Sequence, residues 1–405
     1  KVNAANFWLL KGNYMLNIGN FNQAAEFANL TIELAEQESS SVTLVKGYYL
    51  AAEAYLRTGD LKLVENKLDE AAQLAEQINV KPEMANIYKL LGVHYIEGNQ
   101  PQKAQFYYQK AREIYEEIGD SFGLSSVLTN LSIFGYRQQN YQLASSYLQD
   151  ALQISKQTGD KAGRVRTLTN LSMVSSTFGY YQQAIEHASE ALAISESIQS
   201  SLGIWYNLLH LLEANTYLGR KVQSETYRGR LMTVFDSLES SVAKIHTLAD
   251  IGYFLEVENS LQLAYDYLIS AYDLIENLDH SPEELEVRLN LAHVAHLNGD
   301  HRAARKWFEP VIEGLKNDEH QLGELTRPIY ANWVIYVLGN KNNPELALNN
   351  LKIGYLEIQK QVSQVSDQKH IQKFISRIPT YQKIVQTYAQ LFPNDFELAS
   401  PIVQI

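Results

Sequence analysis

Residues Thr129–Asp160 read TNLSIFGYRQQNYQLASSYLQDALQISKQTGD, and Thr169–Ser200 read TNLSMVSSTFGYYQQAIEHASEALAISESIQS. A step of 40 carries Thr129 to Thr169, Leu131 to Leu171, Tyr141 to Tyr181, Ala144 to Ala184 and Ala151 to Ala191. The same step runs outward in both directions. Turn-type pairs stand at Gly19-Asn20, Gly59-Asp60, Gly179-Tyr180, Gly219-Arg220, Gly299-Asp300 and Gly339-Asn340, with Asn99, Gln139 and Asn259 in the skipped slots. Large apolar residues recur at Leu91, Leu131, Leu171, Leu211, Ile251 and Leu291. Small ones recur at Ala24, Ala104, Ala144, Ala184, Ala264 and Ala304, and again at Ala71, Ala111, Ala151, Ala191 and Ala271. A fixed period in this range marks a solenoid, in which each unit buries its apolar face only against its neighbours.

Each unit holds a helical stretch of about 17 residues, a Gly-Asn or Gly-Asp turn, and a second helical stretch. Tyr107–Tyr115 shows the spacing, with apolar or aromatic residues three and four apart. Glycine after the first stretch takes the left-handed conformation that ends a helix. The Ala ladders mark where two helices approach too closely for a larger side chain. No alternating β-branched run is bounded by hairpin turns, so the expected class is all-α. Two units depart from the pattern: the sixth carries Ser224 and Leu231 in place of its Ala pair, and the ninth inserts three residues around Lys341–Asn343, moving its Ala to Ala347.

These ladders resemble the tetratricopeptide repeat, in the longer 40-residue variety found in kinesin light chain, over roughly Asn6 to Ile358. The resemblance implies a right-handed superhelix of about nine helix-turn-helix repeats, residues 1–360, forming one continuous array. Residues 361–405 are expected to cap it, because a terminal repeat must cover an otherwise open apolar face. Within Gln368–Phe392 the apolar residues Ile371, Phe374, Ile375, Ile378, Ile384, Val385, Tyr388 and Leu391 fall mostly three or four apart, broken by Pro379. This ending (Phe374, Ile378, Pro379, Ile384) is similar to that of repeat sensor domains in bacterial STAND-type signalling ATPases and related transcriptional regulators.

Composition narrows the chemistry. The 405 residues contain no Cys, which removes disulfides, thiolate metal sites and cysteine nucleophiles. The net charge is −12, giving no global attraction to nucleic acid or an anionic membrane. No apolar run approaches the ~18–20 residues that span a bilayer, and a cytoplasmic setting is expected. No phosphate-binding glycine loop, H-E-x-x-H or G-x-S-x-G occurs. His293, His296 and His301 come closest to a metal cluster, but nothing supplies a further ligand, and paired acids such as Glu116-Glu117 read as solvated helix ends. We therefore expect no metal, no cofactor and no enzyme activity in this chain.

The informative feature is a polar stripe on the first helices. Immediately before the large apolar ladder stand Asn130, Asn170, His210, Asp250 and Asn290, and four residues earlier Ser126, Arg166, Tyr206, His246 and Glu286. Residues four apart share a helix face. A side-chain amide offers a donor and an acceptor to the backbone of an extended peptide, and an arginine adds a fork for a carboxylate. The resemblance places this face on the concave groove and gives the position of Asn130 the role of holding a bound peptide's backbone. The expected partner-binding set is Lys89, Asn130, Tyr136, Arg137, Arg166, Asn170, Tyr206, His210, Asp250 and Asn290. Against the carboxylate clamp of tetratricopeptide co-chaperones, Lys89, Asn130 and Arg166 fit, while Val93 and Asn170 do not. The aromatics Tyr217, Tyr253, Trp333 and Tyr336 add anchoring area to the same face.

Two functional readings follow. In the first, the chain is the protein- or peptide-sensing part of a larger bacterial regulator, with an effector or ATPase domain attached upstream of Lys1. In the second, it is a free-standing scaffold that gathers proteins through the groove.

Overall fold

The computed structural model describes residues 4–393, apart from 239, 277, 279–282, 316–321, 323–324, 341–342, 364 and 366. Among these the chain forms twenty α-helices and no strand, packed as successive pairs. It divides into two compact units, Lys1–Thr167 and Leu168–Ile405.

The punctuation is finer than the 40-residue ladder suggests. Every described residue with positive φ lies on a 20-residue grid: Gly19, Ser39, Gly59, Asn79, Asn99, Gly119, Gln139, Gly159, Gly179, Gln199, Gly219, Asn259 and Gly299. Up to Gly299 both the turn within a pair and the turn between pairs use one left-handed residue, whereas Gly339, on the same grid, ends its helix without a positive φ. Gln139 adopts it as well, at φ 54°. The cost of a Cβ in this conformation, ~1–2 kcal/mol, is offset by the helix-ending hydrogen bond that follows, as from the Asn140 N–H to the Gly135 carbonyl at 2.9 Å. The next residue then caps the following helix. Asp60, Asp120 and Asn140 each accept from the backbone N–H three residues on.

In the first unit, α1 (Ala4–Asn17) pairs with α2 (Phe21–Gln37), α3 (Ser41–Thr58) with α4 (Leu61–Gln77), α5 (Lys81–Glu97) with α6 (Pro101–Ile118), and α7 (Ser121–Arg137) with α8 (Tyr141–Thr158). The boundary falls inside α9 (Lys161–Thr177). Ala24, Ala71, Ala104, Ala111, Ala144 and Ala151 are fully buried, as the small-residue ladders require. Tyr115 of α6 lies flat against Gly123 of α7, where a Cβ would stand 2.2 Å from the ring.

The second unit continues with α10 (Tyr181–Ser197), then the pairs α11 (Ser201–Tyr217) and α12 (Lys221–Phe235), α13 (Ser241–Val257) and α14 (Leu261–Ile275), α15 (Glu283–Leu297) and α16 (His301–Leu315), and α17 (Pro328–Gly339) and α18 (Pro344–Ser363). Its core runs through Leu211, Ile251, Leu291, Ala264 and Ala271. In the sixth pair Ser224 is buried opposite the Thr216 hydroxyl at 3.2 Å, and Leu231 is buried as well, so the departures from Ala are accommodated locally. Ala347 is buried as the shifted ladder requires, while Lys341 and Asn342 of the insertion lie outside the described residues.

The ending forms two helices, α19 (Gln368–Arg377) and α20 (Pro379–Leu391), hinged at Ile378-Pro379. Here α20 covers the last pair: Tyr388 stacks on Tyr355 with ring centres 3.9 Å apart, and Ile384 packs at Gly354. Leu391, expected on the buried face, is instead 48% exposed, because the buried face of α20 ends at Tyr388. In addition α19 reaches the corner between α9 and α10. His370 Nε2 donates to the Phe178 carbonyl at 2.8 Å, and its ring stacks on Tyr180 at 4.0 Å. Phe374 fills the space above Gly179, where a Cβ would lie 2.4 Å from its ring. The C-terminal helices thus cover more than the ninth pair. They tie it to the fifth.

Candidate functional site

In the first unit, α3 and α5 enclose a pocket of about 590 Å³ lined by Tyr49, Glu53, Arg57, Lys89, Val93 and Glu97. Lys89 and Glu53 are half-buried and carry opposite charges. Burial pulls the Lys89 ammonium down; Glu53 and Asp120 oppose that pull, and the positive Arg166 adds to it. Burial likewise raises the Glu53 carboxyl, against the opposing effects of Arg57, Lys89 and a hydrogen bond with Tyr49. Both charges are thus held in a site that only partly solvates them. On α7, Asn130 is half-buried and its amide makes no side-chain hydrogen bond among the described residues; Arg166 of α9 is exposed. Tyr136 is half-buried. Arg137, expected in the groove, turns back to donate from Nη1 to the Ile96 carbonyl at 2.8 Å.

The second unit treats the same stripe differently. Asn170 is half-buried without a side-chain partner among the described residues, Tyr206 is exposed beside Trp205, and His210 Nδ1 lies 3.7 Å from Glu213 Oε2. Asp250 is ion-paired with Arg327, which also binds Glu286 at 3.1 Å and lies 4.2 Å from the Tyr253 ring centre. Burial alone would lower the Arg327 guanidinium; Asp250 and Glu286 more than reverse it and hold it up. Asn290 is fully buried, so it presents nothing at a surface, and neither amide atom has a hydrogen-bond partner among the described residues. Beneath the stripe, His293 Nδ1 lies 2.9 Å from Glu256 Oε1 and 3.0 Å from the Tyr330 hydroxyl, and Tyr217 and Tyr253 hydroxyls meet at 3.1 Å. Burial is the largest cause pushing Tyr253 up to about 12. Among the described residues no three of His, Asp and Glu gather to hold a metal ion, and no helix is long and apolar enough to cross a membrane.

Tyr49, Glu53 and Arg57 were absent from the expected set, although they stand 40 residues before Lys89, Val93 and Glu97 and the ladder could have found them. Arg327 carried no such signal. It lies at the start of α17, where the ladder of polar residues gives no reason to single it out.

The helix pairs and their period define a helical-repeat solenoid. Residues 43–117 and 123–197 match the tetratricopeptide repeat family. Similar solved structures include a Rap protein complexed with Competence and Sporulation Factor, 12% identical with a TM-score of 0.53, covering 95% of this chain and 98% of that one. NprR in complex with its cognate peptide NprX is 14% identical with a TM-score of 0.51, covering 86% and 99%. A signal-transduction ATPase with numerous domains and a tetratricopeptide repeat sensor, from Pyrococcus horikoshii, is 19% identical with a TM-score of 0.53; the match covers 80% of this chain and 54% of that one. At these identities the likeness is one of fold. No curated protein matches the sequence.

Proposed function

We propose that the chain is a non-catalytic peptide- or protein-binding module whose working surface is the first-helix face of Lys1–Thr167. Lys89, Asn130 and Arg166 form its polar centre, and Tyr49, Glu53 and Arg57 line the adjoining pocket. The observation that carries this is Asn130, a half-buried amide with no side-chain partner among the described residues, on the helix between those bearing Lys89 and Arg166. An unpaired amide at such a site is matched by the N–H and C=O of an extended peptide, and the two cations by a carboxylate. Solved proteins of this fold with a bound peptide provide the precedent. In the same reading the chain serves a cytoplasmic signalling protein as its sensor. The test is an array of extended peptides with free or amidated C-termini. Arg166→Ala is expected to weaken capture of the free-acid peptides about tenfold or more, leaving the amidated ones unchanged, and Asn130→Ala to weaken both. Capture indifferent to both substitutions overturns the reading.

A further inference from the structure

The pocket between α3 and α5 holds charges that its own helices do not pair. Its lining includes two acids, Glu53 and Glu97, and two bases, Arg57 and Lys89, and among the described residues none of the four forms a salt bridge. The same two helices do pair charges elsewhere: Lys46 of α3 meets Glu83 of α5 at 3.3 Å. The 40-residue step sets the levels of the pocket. It puts Tyr49 beside Lys89, Glu53 beside Val93 and Arg57 beside Glu97, on three successive turns of each helix. Arg57 and Glu97 are exposed and opposite in sign, so their level carries little net charge. Lys89 and Glu53 are half-buried and one turn apart, and Glu53 stands level with an apolar residue. Tyr49 donates one hydrogen bond to the Glu53 carboxylate, which offers about four acceptor positions. Leu56, Leu61 and Leu90 complete the lining with aliphatic surface.

We propose that this pocket receives the C-terminal residue of a bound peptide and selects a basic side chain there, lysine or arginine, with the terminal carboxylate on Lys89 and the side-chain cation on Glu53. The inference rests on the peptide-binding reading above, which gives Lys89 the carboxylate, and it adds the identity of the residue that carries that carboxylate. Charge argues for this occupant. A ligand of one sign satisfies one half-buried charge and leaves the other as poorly solvated as before. A basic terminal residue brings both signs on one frame. Burial holds the Glu53 carboxyl above its ordinary value in spite of Arg57, Lys89 and Tyr49, so a further cation is still favourable beside it. The spacing agrees. Four residues separate the levels of Lys89 and Glu53, about 6 Å along the helix axis, and the four-carbon stem of a lysine covers that span. Leu56, Leu90 and Val93 give the stem an aliphatic wall while its head stays with the carboxylate. An acidic terminal residue would meet Glu53 as a like charge, and an apolar one would leave it unpaired.

The test is the same peptide array on the full chain, with the last residue fixed in turn as lysine, norleucine or glutamate. Norleucine keeps most of the lysine stem and removes its charge. Among free-acid peptides the wild type is expected to capture those ending in lysine about tenfold more tightly than those ending in norleucine, and those ending in glutamate least. Glu53→Gln is expected to erase the preference for lysine while keeping the preference for free-acid over amidated ends. Arg166→Ala is expected to do the reverse. The wild-type ranking requires no variant, so it decides the matter even if Glu53→Gln fails to fold. Free-acid peptides captured equally well whatever their last residue, or a folded Glu53→Gln protein that still prefers lysine, overturn this inference and leave the peptide-binding reading standing. Capture of no peptide at all overturns both.

Discussion

In Lys1–Thr167 the polar groups of the first helices are left partly unsatisfied: Asn130 has no side-chain partner among the described residues, Arg166 is exposed, and Lys89 and Glu53 share a half-open pocket. In Leu168–Ile405 the later part of the equivalent stripe is consumed. Asp250 and Glu286 are bound by Arg327, Glu256 by His293 and Tyr330, and Asn290 is sealed from solvent. The repeat register is the same in both units, and so is the turn chemistry. What differs is the presence of elements that lie outside the repeat, namely Arg327 at the start of α17 and α19 docked on the α9–α10 corner. A helix-pair repeat therefore supplies a polar stripe, and whether that stripe is a surface or an interior depends on what the non-repeating segments place over it.

The strongest test of that contrast is Arg327→Met. It leaves Asp250 and Glu286 close together without their shared cation, and stranding buried charges costs about 3–5 kcal/mol. Three of the four tryptophans, Trp205, Trp307 and Trp333, lie in this unit, so urea unfolding followed by tryptophan fluorescence reports the change directly. A midpoint shift corresponding to less than about 1 kcal/mol would mean the network behaves as a surface ion pair and the second unit is as open as the first.

A smaller effect is expected where α19 meets the repeat. Gly179→Ala forces a Cβ into a left-handed residue and into the Phe374 ring, for a combined cost of about 2–4 kcal/mol. Gly59→Ala has the same backbone conformation, with nothing within 4 Å of the added carbon, and should cost only about 1–2 kcal/mol. Thermal unfolding of the two variants measures the difference. Equal losses would show that the Phe374 contact contributes nothing to closing the second unit.

Most of this architecture is written in the sequence because it depends on spacing. A left-handed residue, a capping residue and a small residue recur at fixed intervals, and each has a local physical reason that one position reveals and the ladder repeats. Of the expected groove residues, Lys89, Asn130, Arg166 and Asn170 stand on first helices, as the ladder places them. Tyr49, Glu53 and Arg57 were legible in principle, one period earlier. The partners of Arg137, Asp250 and Phe374 were not. Arg137 finds a carbonyl 41 residues away, Asp250 an arginine 77 residues away, and His370 of α19 a carbonyl 192 residues away. Contacts at such separations follow from packing that no period encodes. Leu391 shows the complementary failure, since helical spacing fixes which residues share a face but not how far along the helix a neighbour covers it.

The finest distinction between the units lies in the sign of a pH dependence. If the pocket of the first unit is an open site that holds Glu53 against solvation, its carboxyl is raised from the ordinary value of 4.5 chiefly by burial, despite Arg57, Lys89 and Tyr49. The native state then keeps the Glu53 proton over a range in which the unfolded chain has lost it. Stability from this group is complete below pH 4.5 and falls as pH rises through the folded value. Glu53→Gln removes the titration, so the variant should gain stability relative to the wild type as pH climbs from below 4.5 and level off once Glu53 is ionised in both states. Lys89, lowered from 10.5, contributes a slope of opposite sign only where it begins to lose its own proton. Circular-dichroism melts of both proteins across the acid range read the difference. A variant that loses stability relative to the wild type as pH rises would show that Glu53 and Lys89 form a satisfied ion pair, in which case the first unit, like the second, has neutralised its own groove.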